Sequence, residues 1–148
     1  MAKKLLYSLD YVPEFDFEVI GIFSSLRDYR ICFELNRAMG LNFCRTPDLQ
    51  VILDKNGGMG EFATFFVLSE NSEELYLVAN RCSNGHFIPE MKQTDYFLVI
   101  KNRSRYTTIP DVLETLKNIR NLSSAQQIEL STLKSAENFI LLEPVQQK

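Results

Sequence analysis

The residues best suited to nucleophilic or metal chemistry are three cysteines and a single histidine. Cys82 and His86 lie four positions apart, on either side of Asn84-Gly85, a dipeptide typical of a tight hairpin turn. Such a turn would bring a thiol close to an imidazole, as in a Cys–His nucleophile pair. No pattern supplies an orienting third group, and the cysteines form no CxxC spacing, so a zinc site lacks ligands. We predict no metal and no cofactor, and rank thiol catalysis low.

A second constellation combines charge with a backbone interruption. Arg81 follows an apolar run, and Glu90 and Asp95 bracket the segment after Pro89. Arg81 can form an ion pair with either carboxylate and thereby order the loop that leads to Tyr96. Structural pairing is the favoured interpretation. The alternative is that Arg81, Glu90, Asp95 and Tyr96 line a pocket for a ligand or a partner, and these four are the candidate binding residues.

Lys101, Arg103 and Arg105 form the densest basic stretch, and they lie beside the aromatic Tyr106. Contact with RNA phosphates would give an affinity that falls steeply with added salt. The whole chain, however, has a formal net charge of −3 and a pI near 5.2, which argues against a large nucleic-acid surface. A solvated strand end is therefore favoured, and we do not expect a nucleic-acid partner.

The segment Ile88-Pro89-Glu90 followed by Asp95-Tyr96 resembles the signature of the bacterial IPExxxVDY family, with Thr94 at the valine position. Further similarity lies at Asp28-Tyr29-Arg30 and Asn80-Arg81. The resemblance implies a small single-domain bacterial protein, and it brings no substrate, cofactor or catalytic residue. Pro89 restricts Ile88 to extended backbone and removes an amide donor, so the strand must end or bulge there.

Composition is that of a soluble globular domain. The chain has 148 residues, of which 45% are hydrophobic and 24% charged, and this excludes a disordered tail, a coiled coil or a collagen-like fibre. We expect one domain over residues 1–148. The N-terminal apolar stretch is too short for a signal peptide, and no window approaches the ~18–20 apolar residues of a membrane span. An odd number of cysteines favours a reducing compartment, so we predict a cytoplasmic protein without a membrane partner.

Periodicity defines the elements that position these residues. Strict alternation over residues 14–19 predicts a half-buried strand that continues to Phe23. Ser25 and Asp28 then form a capping-box pattern that opens a helix ending at Gly40. Its predicted polar face holds Arg27, Arg30, Glu34 and Arg37, and its buried side holds Ile31, Cys32, Leu35, Ala38 and Met39, widened by Leu26, Tyr29 and Phe33.

Further strands are predicted at 49–53, 62–68, 75–79 and 95–100, with short ones at 127–130 and 139–142, and a second helix at 111–120. The fold class is therefore α+β: an antiparallel or mixed sheet of six to eight strands with two main helices on one face. The order of elements is compatible with a split βαβ (ferredoxin-like) plan carrying an inserted hairpin.

The sequence alone does not define a function. The absence of an assembled catalytic set, together with 11 Phe and 6 Tyr, favours a non-enzymatic interaction module that binds a protein partner or associates with itself as a homodimer. The alternative is a small-ligand-binding or regulatory domain that uses the loop from Arg81 to Tyr96. Thiol catalysis and RNA binding rank below both.

Overall fold

Six strands form one antiparallel sheet in the computed structural model, which describes residues 15–53 and 58–144. A small two-stranded hairpin lies beside this sheet. In chain order the elements are β1 (Phe17–Phe23), α1 (Asp28–Met39), β2 (Cys44–Ile52), β3 (Met59–Leu68), β4 (Glu74–Ala79), β5 (Arg81–Cys82), β6 (Gly85–His86), β7 (Tyr96–Lys101), α2 (Ile109–Lys117) and β8 (Ser124–Gln127).

The strand order of the main sheet is β2-β3-β4-β7-β1-β8, and every neighbouring pair is antiparallel. β1 therefore lies between β7 and β8, which run parallel to each other and are connected by α2. This is a split βαβ unit, extended on one side by the meander of β2, β3 and β4. The predicted α+β class is confirmed, and of the two predicted sheet types the antiparallel one is present.

Both helices pack on one face of the sheet, as predicted. The pleat of β1 turns Ile20 and Ile22 toward Leu35 of α1 and Leu116 of α2, in one buried cluster. Val19 faces the other way, into a second cluster. Three short 3-10 helices contribute to this second layer: Pro89–Met91, Leu130–Thr132 and Ala136–Leu141.

Two predicted strands near the C-terminal end are wrong in place or type. Residues 139–141 belong to a 3-10 helix that ends before Leu142, because Phe139 turns its ring onto Phe87 and Phe97, with centroids 5.3 and 5.2 Å away. A short apolar run does not by itself distinguish a strand from such a cap. The strand predicted at 127–130 lies three residues earlier, because β1 pairs its backbone with Ser124–Gln127 and Ile128 packs into the core beyond.

The first helix begins later than its capping pattern predicts. Residue Arg27 is its N-cap and makes no side-chain cap bond, so the predicted capping role of Ser25 is wrong. Gly40 ends the helix in the left-handed conformation, at φ 65°, as expected. In the second helix Thr108 is the cap, and its hydroxyl accepts a bond from the Asp111 N–H.

The predicted hairpin exists, but its turn is shifted by one residue. Cys82 pairs with Gly85, so Ser83 and Asn84 form the turn. A side chain at Gly85 would bring its Cβ within 2.7 Å of Leu53 Cδ1, so the Leu53 side chain would have to move.

Glu14, with which the first predicted strand began, and the N-terminal apolar stretch lie outside the described residues. Within the described ranges no helix is both long and apolar enough to cross a membrane.

Candidate functional site

Asn80 organises the segment that carries most of the predicted site residues, here called the 80–96 loop. Its side chain is fully buried at the end of β4. The Nδ2 group donates to the carbonyls of Met91 and Thr94 at 2.8 and 2.9 Å, and Oδ1 accepts from the Ile88 N–H at 2.7 Å. Its backbone N–H donates to the Asp95 carbonyl. One buried amide therefore bonds to three backbone groups of this loop.

Asp95 and Tyr96 connect this loop to the segment before α1. The Asp95 carboxylate forms an ion pair with Arg81 and accepts a bond from the Ser24 N–H at 2.8 Å. The Tyr96 hydroxyl donates to the Leu26 carbonyl. Burial, and then the nearby carboxylates, raise the pKa of Tyr96 to about 12, so this hydroxyl keeps its proton and its role as a donor. The predicted pairing of Arg81 is with Asp95.

Glu90 is separate from the other three predicted residues. Its two carboxylate oxygens accept bonds from the Ser135 N–H and hydroxyl, both at 2.7 Å. Burial alone would raise its pKa, but the Ser135 bonds and neighbouring backbone donors outweigh that and hold the pKa below its usual value. Glu90 therefore connects the 80–96 loop to Ser135, just before the 3-10 helix Ala136–Leu141. It does not line a common pocket with Arg81, Asp95 and Tyr96.

Arg81, Asp95 and Tyr96 do line an open groove of about 1030 Å³. The groove runs between the start of α1 and the ends of β1 and β4. Its wall also contains the segment from Phe23 to Tyr29 and the small side chains of Ala63, Ala79 and Ser123. Since Asp95 and Tyr96 are bonded to the loop before α1, their direct role is to fix one wall, while the exposed side chains of Arg81 and Arg27 are available to a bound molecule.

The outer side of α1 begins at this groove and carries two exposed aromatic rings. Tyr29 is 68% exposed and Phe33 is 52% exposed. The guanidinium groups of Arg30 and Arg37 lie over the Phe33 ring, 5.5 and 5.7 Å from its centroid. We call Tyr29, Arg30, Phe33 and Arg37 the α1 surface.

No protein-family model, curated protein or solved structure matched this chain. Its site is therefore interpreted from its own geometry.

The α1 surface corrects the predicted division of this helix. Tyr29 and Phe33 are exposed, whereas Glu34, predicted on the polar face, is buried beneath Arg30 and Arg37. At about 100° per residue, Phe33 lies about 160° from the buried Leu35 around the helix axis. The angular spacing therefore indicates an exposed position for Phe33. The prediction placed both rings on the apolar side because their side chains are hydrophobic.

The Cys82–His86 hypothesis finds no supporting geometry. In the β5–β6 pair His86 is opposite Arg81, so Cys82, one residue along, turns to the other face. The Cys82 thiol donates instead to Asn84 Oδ1 at 3.2 Å and lies near the Gly85 carbonyl. Within the described ranges no group of three or more His, Cys, Asp or Glu side chains could hold a metal ion.

The basic stretch is engaged mainly within the protein. Lys101 Nζ donates to the Leu142 carbonyl at 2.7 Å, and burial lowers the pKa of this amine despite nearby carboxylates. Arg103 donates to the Thr107 carbonyl at 2.7 Å and lies 4.0 Å from Glu18. Arg105 packs over Tyr106 at an exposed tip. The three cations therefore do not present one aligned phosphate-binding row.

Proposed function

We propose that this protein is a non-enzymatic binding module that recognises a protein partner through the α1 surface. The observation that carries this proposal is the exposure of Tyr29 and Phe33 on the outer side of a helix whose inner side is fully packed. Elsewhere on the sheet face the large apolar residues of α1 and α2 are buried together. The two rings are thus the large apolar side chains of α1 that are not buried in the core.

The composition of the α1 surface supports this role. Tyrosine and arginine are enriched among residues that contribute most to protein–protein affinity, and phenylalanine is enriched in interfaces generally. Arg30 and Arg37 already rest on Phe33, which reduces the freedom that these long side chains would lose on binding. The adjoining groove extends the surface with a concave wall.

We further propose a reducing, cytoplasmic setting for this interaction. Cys32, Cys44 and Cys82 are all free thiols, and a pairing of all three within one chain is impossible.

Site-specific photo-crosslinking tests the proposed function. A benzophenone amino acid at position 29 or 33, introduced in cells of the source organism, should capture one protein in stoichiometric yield. The matched control is position 106, because Tyr106 is 71% exposed and also packs against an arginine. Equal capture at 106 would show general stickiness of exposed rings, and no capture at 29 or 33 would refute the proposal. Capture of a second copy would redefine the module as a homodimer.

The groove favours a second candidate, a small-ligand-binding domain. Its volume suits a metabolite-sized molecule, and Arg81 and Arg27 could contact an acidic group. Native mass spectrometry of protein purified from its own cells should then show an added mass that is lost in Arg81→Met. An unmodified mass in both proteins would remove this candidate.

A further inference from the structure

We propose that the partner segment recognised by the α1 surface is an acidic stretch of polypeptide, whose carboxylates bind the exposed arginines around Phe33 and along the groove. This inference rests on the protein-binding function proposed above and adds the chemistry of the partner. It follows from the ion pairs at the α1 surface and the groove, in which one member of each pair is more exposed than the other.

In these ion pairs the arginine is always the outer member. Arg30 and Arg37 are 51% and 69% exposed, and the Glu34 carboxylate that they share is only 4% exposed. At the groove Arg81 is 55% exposed above Asp95, which is 17% exposed. A partner approaching this side therefore meets guanidinium groups, while the carboxylates beneath hold them in place.

The same arginines keep unused hydrogen-bonding capacity. Arg30 and Arg37 each contact Glu34 through the Nη2 group alone. A guanidinium has five N–H donors in a planar fork that matches a carboxylate. Among the described residues the remaining donors of Arg30 and Arg37 have no protein acceptor, so each can bind an incoming carboxylate without breaking its internal pair.

Local charge points the same way. Among the described residues, arginines on or beside the α1 surface and groove stand at positions 27, 30, 37, 45 and 81, with carboxylates beside them at 28, 34, 48 and 95. The more exposed members of these ion pairs are guanidinium groups, in a chain whose net charge is −3. An acidic segment therefore meets complementary charge as it approaches the rings.

Charge also separates this partner from the two main alternatives. A second copy would bring the same outer guanidinium groups against each other, which is unfavourable without intervening acids. A nucleic acid presents a long row of phosphates and requires many cations, whereas these five arginines have four carboxylates among them. A peptide can combine carboxylates for the arginines with an apolar side chain for Phe33 and Tyr29.

The test uses the segment captured by the crosslinker at position 33. Mass spectrometry of the crosslinked product identifies the bound stretch, which is then synthesised as a fluorescent peptide. A second peptide carries Gln and Asn in place of its Glu and Asp. We expect an acidic segment, binding at least tenfold weaker for the neutral peptide, and affinity that falls as salt is added.

A matched pair of protein variants completes the test. Arg27→Gln combined with Arg37→Gln leaves Arg30 on Glu34, and should weaken binding of the acidic peptide at least tenfold. Arg105→Gln, at the other arginine–tyrosine pair, should leave binding unchanged. A neutral or basic captured segment, an RNA, a second copy, or equal affinity of the two peptides would overturn the acidic partner and leave the α1 surface as a binding site. Loss of capture at position 33 would instead overturn the proposed function itself.

Discussion

The 80–96 loop and the α1 surface make opposite use of the residues that stand out in their sequences. In the loop, the Asn80 side chain is bonded to the loop's own backbone, and the side chains of Glu90, Asp95 and Tyr96 are bonded to other parts of the fold. On α1, the rings of Tyr29 and Phe33 are large and hydrophobic, yet they contribute little to the core. The polar residues of the loop form contacts within the fold, and the outer side of the helix carries the exposed rings.

This contrast has a simple energetic basis. A buried polar group costs free energy unless it is bonded, so a loop that carries several of them is stable only when each has its partner. An exposed ring has no such constraint, and a fold can keep it without a compensating contact. A distinctive polar motif is therefore a better indicator of a closed network than of a binding site.

Removal of the Asn80 side chain is the strongest test of the closed network. Asn80→Ala removes the side-chain donor to the Thr94 carbonyl and the acceptor of the Ile88 N–H, and it leaves the Met91 carbonyl bonded to the Thr94 N–H alone. We expect a loss of about 3–5 kcal/mol in the free energy of unfolding, measured by urea denaturation. The exposed Asn84 is the matched control, and Asn84→Ala should cost less than about 1 kcal/mol. Equal effects would remove the distinction between the two regions.

Tyr96→Phe deletes the bond from the loop to the Leu26 carbonyl and should cost about 1–2 kcal/mol at neutral pH. The folded state raises the pKa of Tyr96 from about 10 to about 12, so its contribution is complete below pH 10 and is lost as the pH rises toward 12. Absorbance titration of the phenolate measures this pKa, and urea denaturation at both ends of this pH range measures the contribution to the free energy of unfolding. A wild-type Tyr96 that titrates at its ordinary pH would contradict the burial of this hydroxyl beside Asp28 and Asp95.

Glu90→Gln should have a smaller effect, about 1 kcal/mol or less at neutral pH, because the side chain lies at the surface. Its pKa is lower in the folded state, so its contribution is complete above the ordinary carboxyl value of 4.5 and is lost as the pH falls through the folded value. The variant should therefore lose less stability than the wild type between pH 5 and about pH 3. Glu137→Gln, at another exposed glutamate, should follow the wild-type profile.

Phe33→Ser should change the free energy of unfolding least, by about 0.5 kcal/mol, because the ring is half exposed and packs against the exposed arginines Arg30 and Arg37. Phe87→Ala, at a fully buried ring, should cost about 3–5 kcal/mol by the same denaturation assay. If Phe33→Ser proved as costly as Phe87→Ala, Phe33 would belong to the core and the α1 surface would lose its place as the free surface.

The sequence predicted the elements whose periodicity is strong. The strands β1, β3, β4 and β7 and both helices overlap the ranges that the alternation and the 3.6-residue spacing predict, although α1 begins only at Asp28 and α2 spans Ile109–Lys117. Elements that depend on a distant partner were placed less well. The register of β8 is set by β1, and the 3-10 helix at Phe139 is set by the aromatic cluster on the sheet, neither of which is encoded locally.

The candidate site was predicted only in part. Charge and proximity along the chain predicted that Arg81 pairs with either Glu90 or Asp95, and the structure shows the pair with Asp95. The bond between Glu90 and Ser135 joins residues too far apart in sequence to be inferred. The exposure of Tyr29 and Phe33 could be predicted only if the angular position around the α1 axis was given more weight than the hydrophobic type of the side chains. The resemblance to the IPExxxVDY family stays a prediction.

The position of β1 in the sheet has a consequence for the order in which the chain folds. β1 leaves the ribosome before the other strands, but its register pairs Phe17 with Lys101 and Ile20 with Gln127. The meander of β2, β3 and β4 can form from local hairpins as it emerges, while β1 and the inner side of α1 wait for strands made much later. Bringing β1 to β7 and β8 closes a long loop, and this costs chain entropy before any contact between these strands stabilises the structure. We therefore expect the insertion of β1 between β7 and β8 to be the late step of folding, and nascent chains stalled before β8 to expose the apolar side of α1.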